Sequence, residues 1–113
     1  MAYNQQLAAR IRKALTHVPG VQEQPKMGGI TFMLRGKFCV RAHSTGDMML
    51  RCDPKMTESF LSKNGVRRFT MKGRSAMQGW LLISSEGTES RKDFDFWVKT
   101  ALDFNAKIVT KQT

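Results

Sequence analysis

Ile30-Thr31-Phe32-Met33-Leu34, then Arg35-Gly36, then Lys37-Phe38-Cys39-Val40-Arg41-Ala42, is the stretch on which the fold turns. Ile30, Phe32 and Leu34 alternate with Thr31 and Met33, and Phe38, Val40 and Ala42 alternate with Cys39 and Arg41. A period of two is that of a half-buried strand, because successive side chains point to opposite faces. Arg35-Gly36 between the runs reads as a hairpin turn, although a weaker pair than Asn-Gly. Ser44-Thr45-Gly46-Asp47 makes a second turn, and Met48, Leu50 and Cys52 form a third strand with Arg51 on its opposite face. The expectation is a three-stranded antiparallel meander.

Outward from this meander the period changes. Leu7, Ile11, Leu15 and Val18 recur at helical spacing, so a helix is predicted from about Asn4 to Thr16, stopped by Pro19-Gly20. Arg10, Arg12 and Lys13 read as its solvated face. Asp53-Pro54 starts a short helix that carries Met56, Phe60 and Leu61 and ends at Asn64-Gly65. Val66–Met71 and Gly79–Ile83 read as strands, the second apolar on both faces and hence central. Thr88 or Ser90 caps a last helix with Phe94, Trp97, Val98, Ala101 and Leu102 on one stripe. The predicted order is αβββαββα, an α+β fold with an antiparallel sheet over residues 1–106. Residues 107–113 read as a polar, frayed tail.

The bulk numbers fit one domain: 113 residues, 41% hydrophobic and 25% charged. No run approaches the ~20 apolar residues of a membrane span, and the N-terminus has no signal-peptide pattern. Cys39 and Cys52 spell out neither a disulfide framework nor a zinc knuckle. A cytoplasmic protein without membrane association is expected.

Chemistry-bearing residue types are present without a constellation. Lys26-Met27-Gly28-Gly29-Ile30 lacks phosphate-loop spacing, and a strand follows it. His43, Ser44 and Asp47 crowd into one turn, where nucleophile, base and orienter cannot separate. His17 and His43 have no metal-ligand spacing. The reading assigns no catalytic residue, no cofactor and no metal.

The unusual quantity is charge: 19 Lys and Arg against 9 Asp and Glu, a net +10. Residues 59–85 contain Lys63, Arg67, Arg68, Lys72 and Arg74 and no acid, whereas 86–103 lean acidic. Arg67, Arg68, Lys72 and Arg74 are therefore the candidate contact residues for nucleic acid or another partner. Cations interleaved with Phe69 can grip phosphates and stack a base. The same alternation also fits Phe69 in the core and the cations in water.

The chain resembles the TfoX N-terminal domain family. The resemblance rests on Lys26-Met27-Gly28-Gly29-Ile30-Thr31-Phe32-Met33-Leu34, Gly36-Lys37-Phe38-Cys39-Val40, Leu50-Arg51 before Asp53-Pro54, Gly73-Arg74, Met77, Gly79-Trp80 and Phe96-Trp97-Val98 with Ala101-Leu102. Two departures are a missing Phe after Met27 and a loop one residue longer at Gly73-Arg74-Ser75-Ala76-Met77. The resemblance implies a two-layer sandwich like that of secretion chaperones, in a stand-alone domain of a bacterial regulator type. It implies a competence-regulator-like role in full-length relatives and supplies no catalytic residues to map. The leading expectation is a non-enzymatic regulatory or protein-interaction module near the transcription machinery. Weak nucleic-acid binding through the basic surface is the alternative, and an enzyme of unknown type the third reading. A homodimer is also expected, through a sheet face lined by Thr31, Met33, Cys39, Arg41, Met49 and Arg51.

Overall fold

The computed structural model describes residues 3–69 and 78–111. Over these residues it is an α+β fold in which six strands form one antiparallel sheet in the order β1-β2-β3-β4-β6-β5. The chain opens with helix α1, Gln5–Ala14, capped by the Asn4 side chain, which accepts a hydrogen bond from the Leu7 amide at 3.1 Å. Leu7, Ala8 and Ile11 form its buried stripe.

The meander has four strands rather than three: β1 (Val21–Lys26), β2 (Gly29–Leu34), β3 (Lys37–Ala42) and β4 (Met48–Arg51). Strand β1 was missed because Gln22-Glu23-Gln24-Pro25-Lys26 shows no apolar alternation. Those five residues are exposed at the sheet edge, where proline is tolerated because its missing N–H breaks no ladder bond. Met27 and Gly28 join β1 to β2, and Arg35 and Gly36 join β2 to β3. All four have positive φ (50°, 76°, 55° and 77°), the backbone of two-residue hairpin turns that match strand twist.

Alternation along β3 is also interrupted. Phe32 pairs with Val40, but Met33 pairs with Phe38, so Cys39 is the extra residue of a bulge. Phe38 therefore leaves the row of Val40 and Ala42, and its ring lies 4.9 Å from that of Trp80.

Asp53 accepts from the Lys55 amide at 3.0 Å and starts a 3₁₀ turn, Pro54–Met56, that runs into helix α2, Thr57–Leu61. Strand β5 is short, Val66–Arg68, and β6, Trp80–Ile83, lies between β4 and β5. The internal position agrees with its apolar sequence. A short helix α3, Ser85–Thr88, precedes the long α4, Arg91–Lys111. Of the two sequence candidates for the α4 cap, Ser90 serves, accepting from the Asp93 amide at 3.1 Å.

One face of the sheet, with Ile30, Phe32, Val40, Met48, Leu50 and Leu81, packs against Leu7, Ile11 and Leu15 of the N-terminal segment and Phe94, Trp97, Val98 and Ala101 of α4. Asn105, 1% exposed on the same stripe, donates from Nδ2 to the Leu34 carbonyl at 3.1 Å and tethers α4 to the β2–β3 turn. Helix α4 continues through Lys111, into the segment read from sequence as a polar tail, and Lys107 Nζ reaches Asp53 Oδ2 at 2.6 Å. Among the described residues no helix is long and apolar enough to cross a membrane.

Candidate functional site

Of the four contact residues predicted from sequence, Lys72 and Arg74 lie outside the described residues. Arg67 and Arg68 fall on β5, and each meets a carboxylate from elsewhere in the chain. Arg67 Nη2 pairs with Asp47 Oδ2 at 2.5 Å, and Arg68 pairs with Glu58 and donates to Gln78 Oε1. Arg67 is half-exposed and Arg68 partly exposed beside their carboxylates, so both arginines still present charge to solvent.

The triad types of the β3–β4 turn are engaged structurally. Asp47 takes a hydrogen bond from Thr45 Oγ1 at 2.6 Å besides the Arg67 pair. His43 Nδ1 accepts from Arg41 Nε at 3.1 Å, which requires a neutral imidazole with its lone pair on that nitrogen. Arg41 itself is 6% exposed and lies along the sheet, donating to Thr31 Oγ1 at 2.9 Å and to the Met27 carbonyl at 3.1 Å. Thr31, Cys39, Arg41 and Met49 are thus covered within a single chain, which leaves only Met33 and Arg51 of the expected dimer face partly exposed. Burial pushes the thiols of Cys39 and Cys52 up to about 11, so both stay protonated and poorly nucleophilic at neutral pH.

Burial holds the His43 pKa below its ordinary value. Neighbouring Arg41 and Arg67 push it the same way, and Asp47 opposes them. A depressed folded-state value means that the unfolded chain binds more protons, so stability is complete above the unfolded pKa of about 6.5 and is lost as pH falls through the folded value. Urea midpoints measured from neutrality down to about pH 5 should therefore decline in the parent and flatten in His43→Gln. The carboxylates with lowered pKa, Glu23 and Asp53, titrate below this window. Equal slopes in the two proteins would remove His43 as the cause.

A concave feature lies elsewhere, between α1 and α4. A groove of about 740 Å³ has a floor of Ala14, Phe94, Val98 and Leu102. Arg10, Lys13 and His17 form one wall, and Arg91, Asp95, Lys99 and Asp103 the other. The spacing explains the geometry. Positions 10, 13, 14 and 17 share one stripe of the N-terminal segment, and 91, 95, 98, 99 and 102 share one stripe of α4. Arg12 points off this stripe and pairs with Glu23 on β1, Nε to Oε2 at 2.6 Å. The basic face read from sequence as uniformly solvated is therefore divided between two surroundings. Arg10 places its guanidinium 4.2 Å from the centroid of the Phe94 ring.

The groove escaped the sequence reading because its walls are far apart in the chain. The available signal was Ala14, a small residue among larger ones on the stripe where two helices meet. Among the described residues no cluster of three or more His, Cys, Asp or Glu could hold a metal ion.

Neither curated proteins nor solved structures yield a match to this chain. A family model does match, the TfoX N-terminal domain, over residues 13–105. That span runs from the wall residue Lys13 through Asn105 and takes in all six strands and the groove lining other than Arg10. The chain belongs to the TfoX N-terminal domain family.

Proposed function

We propose that this protein is a non-enzymatic regulatory module that acts by binding another protein on the transcription side of a bacterial cell. The observation that carries the reading is the groove between α1 and α4: an apolar floor framed by charged side chains, on the two helices that also cover the core. Such surfaces bind by burying apolar area at the centre while charged rims select the partner. Family membership supports the regulatory half of the reading. The residue types that could have carried catalysis, His43 and Asp47, are tied to Arg41, Thr45 and Arg67 instead.

Sequence-independent nucleic-acid binding is the second reading, favoured by the net +10 on so small a body. Affinity capture separates the two. The full chain, tagged and incubated with nuclease-treated bacterial lysate, should retain one protein in near-stoichiometric amount, displaced by untagged chain. Retention that vanishes with nuclease treatment would transfer the function to nucleic acid. Recovery only of an enzyme complex that metabolises small molecules would also count against the regulatory reading.

A further inference from the structure

We infer that the groove between α1 and α4 is the docking site for an acidic amphipathic helix of a partner protein, an inference that rests on the protein-interaction reading above. Three observations select this occupant. The first is shape. The α4 wall runs from Arg91 to Asp103, and at 1.5 Å per residue this is about 18 Å, the length of a three-turn helix. An apolar trough that follows this length of α4 beside the C-terminal half of α1 suits a third helix laid along α4, with anchors at helical spacing.

The second is the floor. Phe94 and Val98 are buried, while Ala14 and Leu102 are half-buried, so apolar surface remains for a partner to cover. A purely polyanionic ligand would gain nothing from that surface.

The third is the balance of charge. Asp95 and Asp103 are answered within α4 by Arg91 at 3.7 Å and Lys99 at 3.0 Å. The α1 wall has no such answer: Arg10 and Lys13 form no ion pair among the described residues, and the Arg10 guanidinium lies over the edge of the floor at Phe94. The unbalanced wall is cationic, so carboxylates on the rim of the incoming helix are matched there and basic ones are repelled. Charge and floor together disfavour the other occupants. A second copy of this chain would bring another +10, and a phosphate backbone laid along the groove would leave the apolar floor uncovered.

The test uses the full chain and a fluorescein-labelled helical peptide of about twelve residues with Leu at i, i+3, i+4 and i+7 and Glu elsewhere. Anisotropy is read at roughly 0.15 M salt, where diffuse attraction is screened. Two comparison peptides replace Glu by Lys, or Leu by Glu. The Leu/Glu peptide should bind at least about tenfold more tightly than either, the size expected when central apolar anchors or rim charge are lost. Ala14→Trp, which fills the floor, and Lys13→Glu, which reverses the wall, should each weaken binding by about tenfold or more. Lys26→Glu on the β1 edge makes the same change in net charge away from the groove and should leave binding within about twofold. Unchanged urea midpoints certify the fold of each variant.

Equal loss from Lys13→Glu and Lys26→Glu would reduce the effect to net charge and overturn the site. Displacement of the peptide by a single-stranded oligonucleotide of equal charge, or equal binding of the all-Glu peptide, would overturn it in favour of a general anion surface. Failure of the Leu/Glu peptide to bind would overturn the groove proposal alone. Lysate capture of a protein partner unaffected by Ala14→Trp would then leave the interaction function standing at another surface.

Discussion

Trp97→Ala is expected to lower the unfolding free energy by about 4 kcal/mol, within the range for removing a buried large aromatic. Trp97 is 2% exposed and sits on the inner stripe of α4 with Phe94, Val98 and Ala101. Its ring meets Phe60 of α2 edge-on at 5.3 Å, so one side chain joins the long helix to the short one. Quadrupole-matched packing of this kind adds to the area term, and truncation leaves a void that neither α2 nor the sheet can close without breaking other contacts. Phe96, next in the chain and 4.9 Å from Trp97, is 39% exposed and supplies the comparison. Phe96→Ala should cost roughly 1 kcal/mol, because much of its surface is in water in both states. Urea unfolding followed by circular dichroism measures both. A domain of this size has a total stability of roughly 5–15 kcal/mol, so the larger loss should move the midpoint far or abolish the transition. Similar losses at the two positions would mean that α2 packs on α4 less closely than the ring geometry indicates.

The α4 stripe is also where the sequence was most legible, and the reason is physical. Phe94, Trp97, Val98 and Ala101 keep the helical period because one continuous surface, the sheet, lies beneath them. Strands β2 to β4 were legible for the same reason, since one of their faces is fully covered. Strand β1 projects to the edge and has no covered face to impose alternation, so its sequence shows none. The bulge at Cys39 left no mark in composition, because it exchanges one apolar residue for another in the row.

Long-range pairing set the other limit. Arg67 and Arg68 looked like a free basic run because Asp47 and Glu58, which answer them, come from earlier elements. Arg10 and Arg12 looked equivalent until α1 was placed against both β1 and α4, which draws one to Glu23 and the other over Phe94. Periodicity reports which face is covered, and only the tertiary fold reports by what. The candidate site was therefore the least legible part. It is formed by the meeting of two stripes, each of which alone is an ordinary amphipathic helix.

The close approach of Gly29 to Arg41 yields a sharper expectation than either residue alone. A Cβ at Gly29 would stand 2.4 Å from the Ala42 carbonyl oxygen and 2.8 Å from Arg41 Nη2. The Arg41 guanidinium is buried, its pKa lowered by that burial, and held by neutral acceptors: Thr31 Oγ1, the Met27 carbonyl and His43 Nδ1. Arg41→Ala strips all three acceptors of a charged donor and should cost about 2 kcal/mol, relief of the buried charge offsetting part of the loss. Gly29→Ala should cost about 3 kcal/mol, at the upper end for one methyl forced into a packed site. The double variant decides which neighbour is the obstacle. A guanidinium at the end of a flexible side chain can move aside, whereas the Ala42 carbonyl is fixed in the β2–β3 ladder opposite Ile30. Gly29→Ala should therefore still cost about 2 kcal/mol or more when introduced into Arg41→Ala, with the coupling between the two sites below about 1 kcal/mol. Urea midpoints of the four proteins give the cycle. A double variant as stable as Arg41→Ala alone would show that Gly29 is required by the arginine and not by the backbone of β3.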